Sequence, residues 1–260
     1  MITILTPTFN RAHTLPKLFD SLMKQSVPHF EWLVVDDGST DETRELIESF
    51  QGIAPFKVRC LIKENGGKHT ALNQGVKAAD GDWVFIVDSD DSLVPNAIET
   101  VERAIGEQGA PSIVGFCFRR MFPSGKLNGV ARKLPDRSKL NPTEAPHIFG
   151  GDLAYIFRRS TMLHHPFPVV PGENFVPELF IWNKISDEGQ IIYFPETAIY
   201  ICEYLEDGYS RNFKRNLRKN PQGFAIHYFA QMSREKRLVM RAKCLIRYIQ
   251  CKWYAWRNAQ

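Results

Sequence analysis

Three aspartates lie directly after a short apolar run, and residues of this type at this spacing can bind a cation. The run covers residues 84–87 and is followed by Asp88, Asp90 and Asp91. Carboxylates so close together repel one another unless a positive ion lies between them. A buried strand that ends here would hold them at its carboxyl end, where open α/β sheets bind ligands. The pattern therefore predicts a site for a divalent cation and a diphosphate. The alternative is a solvated acidic turn in which an aspartate begins a helix.

The elements that would position these carboxylates alternate between strand and helix over the first 105 residues. The predicted strands are 2–5, 31–35, 58–62 and 84–87. Two of the predicted helices begin after the caps Thr14 and Asp41, and two more cover residues 69–79 and 96–105. Continuous apolar strands that alternate with helices are typical of βαβ units and a mostly parallel, twisted sheet. We expect Pro7 to end the first strand, so that residues 6–11 form a loop. Asp36 and Asp37 follow the second strand and can border the same crevice as the first acidic cluster.

The pattern loosens in the second half of the chain. Strands are predicted at 112–118, 153–157, 191–194 and 199–204, a helix at 178–186, and irregular segments at 123–146 and 166–177. We expect an α/β fold with a Rossmann-like sandwich over residues 1–210. Residues 1–105 and 106–210 would be the two halves of this domain, and 211–260 would form a basic helical extension.

Composition restricts the class of protein. The chain has 260 residues, 43% of them hydrophobic, which is enough for one large domain. Its five cysteines are scattered without a CxxC pair, which argues against a disulfide scaffold or a zinc site and fits a reducing cytoplasm. The N-terminal residues lack the features of a signal peptide, and no run is apolar enough to span a bilayer. We expect a cytoplasmic protein.

Charge is distributed unevenly between the body of the chain and its end. From Arg211 onward there are thirteen basic residues and one acidic residue, a net +12, so the preceding part carries −8. One stripe at helical spacing is apolar: Leu238, Ala242, Leu245, Ile249, Trp253 and Trp256. This segment predicts that residues 221–260 lie on an anionic membrane surface, which would make the protein peripheral. The alternative is that the stripe packs on the catalytic domain or on a second subunit, as in a homodimer. No motif that reads nucleic acid accompanies the charge, so we expect no nucleic-acid partner.

Four segments in order resemble one family. They are Thr-Pro-Thr-Phe-Asn-Arg at 6–11, Val-Val-Asp-Asp-Gly-Ser-Thr-Asp at 34–41, Asn-Gly-Gly-Lys at 65–68 with Ala-Leu-Asn-Gln-Gly at 71–75, and Asp-Ser-Asp-Asp at 88–91. Together they resemble the family 2 glycosyltransferases, which have the GT-A fold. The resemblance implies inverting, metal-dependent transfer of a sugar from a nucleotide diphosphate sugar, with a UDP-sugar expected. It also implies that residues 1–105 bind the nucleotide sugar and residues 106–210 the acceptor. The acceptor would be a hydroxyl of a glycan or lipid-linked precursor of a bacterial surface polysaccharide.

The resemblance also implies roles for individual residues. Asp90 and Asp88 would bind Mn²⁺ or Mg²⁺, Asp36 would accept a hydrogen bond from the nucleobase, and Lys68 would reach the base or a phosphate. The remaining residues of the expected nucleotide-sugar site are Thr6, Pro7, Thr8, Asn10, Arg11 and Ser89. Four further residues are expected to be structural: Asp37, Asp41, His69 and Asn73. For Asp91 a direct role and a capping role remain open.

An inverting transfer also needs a general base for the acceptor hydroxyl. Family members commonly have Glu-Asp where this chain has residues 177–178. An aromatic residue follows four positions after the second acid, and a basic residue follows six positions after it. Glu178, Trp182 and Lys184 match that spacing, although Pro177 replaces the usual preceding acid. We expect Glu178 to be the base, with Glu173 as the second candidate.

Two other function classes remain to be distinguished. A nucleotidyltransferase would need a glycine-rich basic phosphate loop after the first strand, and the segment around Pro7 is a poor match. A non-catalytic nucleotide-sugar-binding relative would be favoured by loss of the aspartates, which are present.

Overall fold

The structure is a computed structural model that describes residues 1–131, 134–135, 138–203 and 212–259. Four parallel strands form the first half of its sheet, in the order β3-β2-β1-β4. They are β1 (Ile2–Thr8), β2 (Phe30–Asp36), β3 (Lys57–Ile62) and β4 (Trp83–Ile86). Three helices connect them: α1 (Leu15–Met23), α2 (Thr43–Gln51) and α3 (Lys68–Ala78). The expected βαβ units are confirmed.

The second half of the chain extends the same sheet with mixed pairing. Its elements are β5 (Ser92–Leu93), α4 (Ala97–Gln108), β6 (Ile113–Met121), β7 (Ser138–Lys139), α5 (Ala145–Phe149), β8 (Leu153–Arg158), α6 (Arg159–His164), α7 (Leu179–Glu188) and β9 (Gln190–Ile201). β8 is antiparallel to both β4 and β6, whereas β6 and β9 are parallel. β5 and β7 are antiparallel to β9. Over the described residues the result is one open sheet of nine strands.

Alternate residues of the central strands enter two separate cores, one on each face of the sheet. On β2, Trp32 and Val34 pack with α1 and α2, whereas Leu33 and Val35 pack with α3. All four are 0% exposed. Side chains of a strand point alternately to opposite faces, so a continuous apolar run is what a sheet covered on both sides requires. The packed faces leave the carboxyl ends of β1 and β4 as the open edge.

Three helices follow the sheet: α8 (Phe213–Lys219), α9 (Pro221–Arg234) and α10 (Leu238–Asn258). α9 packs on α7, and α10 packs along α9. The proposed boundary at residue 210 lies outside the described residues, so the division into domains stays a prediction. No helix in the described part of the chain has both the length and the apolar character needed to cross a bilayer.

Proline does not end β1 as expected. Pro7 lies within the strand and pairs with Val35 of β2. The neighbouring carbonyls show why. Leu5 O accepts from Val87 N on the β4 side, and Thr8 O accepts from Asp37 N on the β2 side. The nitrogen of Pro7 therefore faces the β4 side, where the paired residues have already ended. A missing N–H has no cost at such a position.

Two predicted strands, 191–194 and 199–204, are one strand, β9, and Tyr204 lies outside the described residues. The register with β6 jumps from Phe194 to Ala198, which is a bulge that contains Pro195. Arg119, only 1% exposed, donates from Nη1 to Pro195 O at 3.2 Å. The strand therefore continues through a proline because a buried guanidinium satisfies the bulged carbonyl.

The expected helix caps differ in detail. Thr14 precedes α1, but its hydroxyl donates to Arg11 O at 3.3 Å and caps no helical N–H. Asp41 accepts from the backbone N–H of Thr43 at 3.2 Å, within the first turn of α2, and from that of Ala12 at 3.1 Å. Asp41 therefore fixes both the helix start and the segment that follows β1.

Candidate active site

A cleft of about 710 Å³ opens at the carboxyl ends of β1 and β4. One wall comes from the end of β1 and the segment 88–91, and the opposite wall from α7 and α9. Six of the expected donor-site residues line it: Pro7, Thr8, Arg11, Lys68, Asp88 and Ser89. Asp90 lines it as well. The structure therefore brings together donor-site residues that are up to 83 positions apart in the chain, at the edge of the sheet where α/β proteins bind ligands.

Tyr200 of β9 holds the acidic segment in place. Its hydroxyl donates to Asp91 Oδ2 at 2.7 Å and accepts from Asp88 N at 2.9 Å. Asp91 is 4% exposed and also accepts from Glu203 N at 3.1 Å. Burial and the nearby charge of Asp88 raise the pKa of Asp91 to about 7. Asp91 thus connects the segment to β9 and does not cap α4, which begins after Asn96. It also lines the cleft, so its direct role stays a prediction.

Lys68 connects the two walls of the cleft. Its Nζ lies 2.5 Å from Asp88 Oδ1 and 2.7 Å from Glu178 Oε1. Burial alone would lower the pKa of this ammonium, but the two carboxylates outweigh burial and raise the pKa. The pKa of Asp88 is lowered because Lys68 and Arg120 outweigh the effect of its burial. Asp88 is therefore ionised at neutral pH.

Unlike Asp88, Asp90 forms no ion pair with a basic side chain of the described residues. Burial and the charge of Asp88 raise its pKa. A carboxylate with a raised pKa in a cleft is destabilised as an anion, and a bound cation relieves this cost. Asp88 and Asp90 thus offer hard oxygen ligands on one wall.

These oxygens fit a divalent cation that shares its ligands with a substrate. Among the described residues no group of three or more His, Cys, Asp or Glu side chains forms a complete metal-binding cluster. Mg²⁺ is usually held by one or two carboxylates plus substrate phosphates rather than by a full cage of protein ligands. The donor set formed by Asp88 and Asp90 has this character.

Arg120 of β6 is a cleft residue that sequence reasoning missed. Its guanidinium lies over the ring of Tyr200 at 4.0 Å, and its Nη1 is 3.5 Å from Asp91 and 3.8 Å from Asp88. The available signal was a pair of arginines, Arg119 and Arg120, at the end of an otherwise apolar run. Arg120 adds a second positive charge behind the acidic segment.

Three of the expected nucleotide-site residues lie behind the described lining of the cleft. Thr6 is 0% exposed and accepts from Trp32 Nε1 at 3.0 Å. Asp36 is 2% exposed and accepts from Ser39 N at 2.9 Å. Asn10, at a φ of 53°, accepts from Thr40 N through its side-chain oxygen. In this conformation all three stabilise the loops that border the cleft, and their contact with a nucleotide stays a prediction.

Asp37 holds the turn that precedes α3. It accepts from Gly66 N at 3.0 Å, Gly67 N at 2.7 Å and Lys63 Nζ at 2.5 Å. Gly67 has a φ of 89°, and a Cβ there would lie 2.0 Å from Asn174 O. Only glycine fits so close a backbone approach. The approach brings the loop before α7 against the start of α3, which places Lys68 opposite Glu178.

Asn73 organises the loop 166–177 as expected. Its side chain accepts from Phe167 N at 2.8 Å and donates to Phe167 O at 2.9 Å. His69, the other residue expected to be structural at this helix, is 2% exposed. Both side chains therefore support the cleft from behind.

The two candidate bases have different surroundings. Glu178 lines the cleft at the first position before α7, its side chain is 29% exposed, and it makes no helix-capping hydrogen bond. Glu173 is 8% exposed and accepts from Gln222 N at 2.8 Å and Gly223 N at 2.7 Å. Glu173 is therefore the cap of α9, and Glu178 is the carboxylate that faces the acidic segment.

Comparison with known proteins identifies the family. The family model described as glycosyl transferase family 2 matches residues 3–163, which is more than half of the chain. The chain belongs to glycosyl transferase family 2. The matched segment includes β1 to β4, the acidic segment and Lys68, so the resemblance read from the four motifs is confirmed.

The curated relatives extend well beyond the matched part. Glycosyltransferase GlyG from Streptococcus pneumoniae serotype 4 is 35% identical over 116 residues, or 44% of this chain and 38% of GlyG. The poly(ribitol-phosphate) beta-N-acetylglucosaminyltransferase TarS from Staphylococcus aureus is 35% identical over 107 residues, or 40% of this chain and 19% of TarS. The chain thus spans less than half of the length of either relative.

Solved structures confirm the GT-A fold. S. aureus TarS residues 1–349 in complex with UDP-GlcNAc has a TM-score of 0.65 at 19% identity, over 96% of this chain and 72% of that one. A mannosyltransferase from Pyrobaculum calidifontis in complex with GDP-Man and Mn²⁺ has a TM-score of 0.61 at 22% identity, over 91% of this chain and 65% of that one. At these identities the likeness concerns the fold alone.

Proposed function

We propose that this protein is an inverting, metal-dependent glycosyltransferase that moves a sugar from a nucleotide diphosphate sugar to a hydroxyl of a glycan or lipid-linked acceptor. The observation that carries the proposal is the arrangement across the cleft. Asp88 and Asp90 lie on one wall, Glu178 lies on the other, and Lys68 contacts both Asp88 and Glu178. Cation ligands and a base on opposite sides of one cleft are what an inverting displacement requires.

Each group has a distinct task in this reaction. Asp88 and Asp90 would hold Mn²⁺ or Mg²⁺, which stabilises negative charge on the departing diphosphate when bound. Glu178 accepts the proton of the acceptor hydroxyl as its oxygen forms a bond to the anomeric carbon. The bond from that carbon to the phosphate oxygen breaks, and its electron pair leaves with the diphosphate. Lys68 holds Glu178 in position before substrate enters and offers positive charge to a phosphate afterwards.

The choice of donor rests on the relatives. TarS has been solved with UDP-GlcNAc, and the Pyrobaculum mannosyltransferase with GDP-Man and Mn²⁺. We propose a UDP-sugar as donor and surface-polysaccharide biosynthesis as the pathway class, because both sequence relatives are bacterial and TarS by name modifies poly(ribitol-phosphate). A nucleotidyltransferase is disfavoured, since the segment 9–14 after β1 contains no glycine.

Nucleotide binding tests this proposal. UDP with Mn²⁺ should raise the melting temperature of the protein, because a ligand at 100 times its Kd adds about 2.7 kcal/mol to the free energy of unfolding. UDP with EDTA should give a much smaller rise. The measurement is a thermal-shift series with UDP, GDP and dTDP, each with and without metal. Absence of a metal-dependent shift with all three nucleotides would contradict the donor site.

The surface of α10 supports a location at the membrane. The apolar stripe predicted from the sequence is exposed: Leu238 (77%), Leu245 (47%), Ile249 (58%), Trp253 (49%) and Trp256 (60%). The face that packs on α9 instead contains Cys244 and Cys251, which are 8% and 0% exposed. These exposures disfavour the alternative in which the stripe packs on the catalytic domain.

Basic side chains flank this exposed stripe on both sides. At 100° per residue, Arg241 and Lys252 fall on one edge of the stripe and Lys243 and Arg257 on the other. An apolar face with tryptophans and basic edges is the pattern of a helix that lies in the headgroup region of an anionic bilayer. Like charges on these edges oppose pairing of the stripe with a second copy. We propose a cytoplasmic enzyme bound peripherally to an anionic membrane, which also suits a lipid-linked acceptor.

Ile249→Glu should release the protein from anionic vesicles, because it places a carboxylate in the centre of the stripe. Ile53→Glu is the matched control, since Ile53 is 65% exposed but lies at the end of α2. The measurement is co-sedimentation with vesicles that contain phosphatidylglycerol, at low and high salt. Equal sedimentation of the two variants would exclude the stripe as the membrane surface. Loss of a homodimer in Ile249→Glu, without vesicle binding by the wild type, would show that the stripe pairs with a second copy.

A further inference from the structure

The wall of the cleft formed by α7 and α9 contains a buried polar group to which the proposed chemistry gives no task. His227 of α9 lines the cleft and is 9% exposed. Neither ring nitrogen forms a hydrogen bond with a described residue, and only Nδ1 is fully buried, so Nε2 is the nitrogen that a ligand in the cleft can reach. Polar groups of nearly buried side chains almost always have a partner, so an unpaired imidazole at the lining of a cleft points to a ligand that supplies one.

The helix that positions His227 is fixed at two points. Gln231, one turn further along the same face of α9, donates to Thr143 Oγ1 at 3.1 Å and accepts from Asn183 Nδ2 at 3.1 Å. Thr143 in turn donates to Asn183 Oδ1 at 3.0 Å. Glu173 caps the first turn of the helix. A helix held in this way places the imidazole of His227 in one position.

Two aromatic residues that line the same cleft as His227 suit a sugar ring. Tyr155 and Trp182 line the same cleft, with ring centroids 6.1 Å apart. Aromatic rings offer apolar surface to the C–H groups of a sugar, and a few placed polar groups fix its orientation. Burial lowers the pKa of His227 to about 4. The imidazole is therefore neutral at pH 7 and offers one donor and one acceptor, as a hydroxyl requires.

Trp182 relates this subsite to the proposed base. It lies four residues after Glu178, and residues at i and i+4 share one face of a helix, one turn of about 5.4 Å apart. A sugar held against Trp182 and His227 would therefore lie at the wall of the cleft that carries Glu178, opposite the wall of Asp88 and Asp90. This is where an inverting reaction needs the acceptor.

We propose that His227, with Tyr155 and Trp182, binds the acceptor sugar ring, so that α9 of the basic extension is part of the substrate site. The inference rests on the proposed glycosyltransferase function and assigns one specificity-determining residue to it. The ligand class is a neutral, hydroxyl-bearing ring. A variant that lacks residues 221–260 would thus lose an acceptor contact as well as the proposed membrane surface.

The test compares His227→Phe with wild type in glycoside binding. The probes are the methyl β-glycosides of glucose, galactose and N-acetylglucosamine, measured by saturation-transfer NMR with UDP and Mg²⁺ present. We expect His227→Phe to weaken glycoside binding by about tenfold or more, because loss of a placed hydrogen-bonding group in a built site is strongly discriminating. Its melting temperature should equal or exceed that of wild type, since phenylalanine leaves no orphaned nitrogen. Tyr228→Phe, which changes the adjacent residue outside the cleft lining, is the matched control and should bind like wild type.

Each outcome has one meaning. Glycoside binding unchanged in His227→Phe, or absent in wild type that still shows the UDP thermal shift, would overturn the subsite while the proposed function stands. If UDP did not raise the melting temperature of the wild-type protein, the proposed function would be overturned instead. A fall in affinity for UDP-GlcNAc without a fall for UDP or for the glycosides would place the donor sugar at His227 and overturn the acceptor assignment.

Discussion

Replacement of Glu178 by glutamine should lower the turnover number by about 10²–10⁴-fold, the usual contribution of a general base. Glutamine keeps the size of the side chain and most of its hydrogen bonding but cannot accept the proton. Glu178 lies at the cleft with its side chain 29% exposed, and its described polar contact is Lys68, at 2.7 Å. Affinity for the donor should remain near wild type, so kcat and kcat/KM should fall together. Steady-state kinetics with an acceptor glycoside and the preferred donor measure both.

Glu173→Gln is the comparison for this variant. Glu173 accepts two backbone hydrogen bonds at the start of α9, and glutamine weakens them because it carries no charge. We expect a lower melting temperature and a turnover number much closer to wild type. If Glu173→Gln were the inactive variant and Glu178→Gln remained active, the base would be Glu173 and the assignment of Glu178 would be wrong.

Replacement of Asp90 by asparagine should abolish metal-dependent donor turnover. A bound cation contributes several kcal/mol to the stabilisation of a departing diphosphate, and each 1.36 kcal/mol is tenfold in rate, so we expect a fall of about 10³-fold. Asparagine also removes the carboxylate that has the raised pKa, so the fold should be retained or stabilised. The measurement is the rate of nucleoside diphosphate release over a Mn²⁺ titration.

Asp82→Asn is the control for the Asp90 variant. Asp82 directly precedes β4, at the opposite end from the acidic segment, and its side chain is 83% exposed. It should leave both the rate and the metal dependence unchanged. A metal response in Asp90→Asn that equals that of Asp82→Asn would remove Asp90 from the cation site.

The donor half of this site follows from the sequence because its residues lie in short segments at the ends of neighbouring strands. Asp88 and Asp90 come directly after an apolar run, and the carboxyl ends of β1 and β4 lie at one edge of the sheet in any parallel arrangement of these strands. In the structure the two strands are also neighbours. Local pattern and strand order thus suffice to bring Pro7, Thr8 and the acidic segment together. Pro7 shows the limit of this reasoning, since only the pairing on each side of β1 decides whether a proline is tolerated there.

The acceptor half could not be derived in the same way because its contacts are long-range. Lys68 and Glu178 are 110 positions apart and meet because Gly67 allows the loop around Asn174 to approach. The spacing to Trp182 and Lys184 favours Glu178 over Glu173 in the sequence, but only the position of α9 shows that Glu173 caps a helix. Arg120 on β6 contacts Tyr200 on β9 because these two apolar strands pair with each other. The register of this pairing depends on a bulge in β9.

The apolar stripe of α10 is a third case. The spacing from Leu238 to Trp256 predicts a helix face, which is confirmed, but the same spacing fits packing on protein as well as on lipid. The face that packs on α9 has smaller apolar residues, Cys244 and Cys251, seven positions apart. Which face of α10 is buried depends on the surface of α9, and the periodicity of α10 alone does not predict it.

The identity of the products released from a nucleotide sugar tests the central claim most directly. The wild-type protein, incubated with UDP-GlcNAc, UDP-glucose or GDP-mannose and Mn²⁺, should release the nucleoside diphosphate together with a free or transferred sugar. The release should require metal and should be lost in Asp90→Asn but not in Asp82→Asn. Quantitative chromatography of the nucleotides measures this outcome. Release of nucleoside monophosphate and sugar phosphate, or formation of pyrophosphate from a nucleoside triphosphate and a sugar phosphate, would contradict the assignment as a glycosyltransferase.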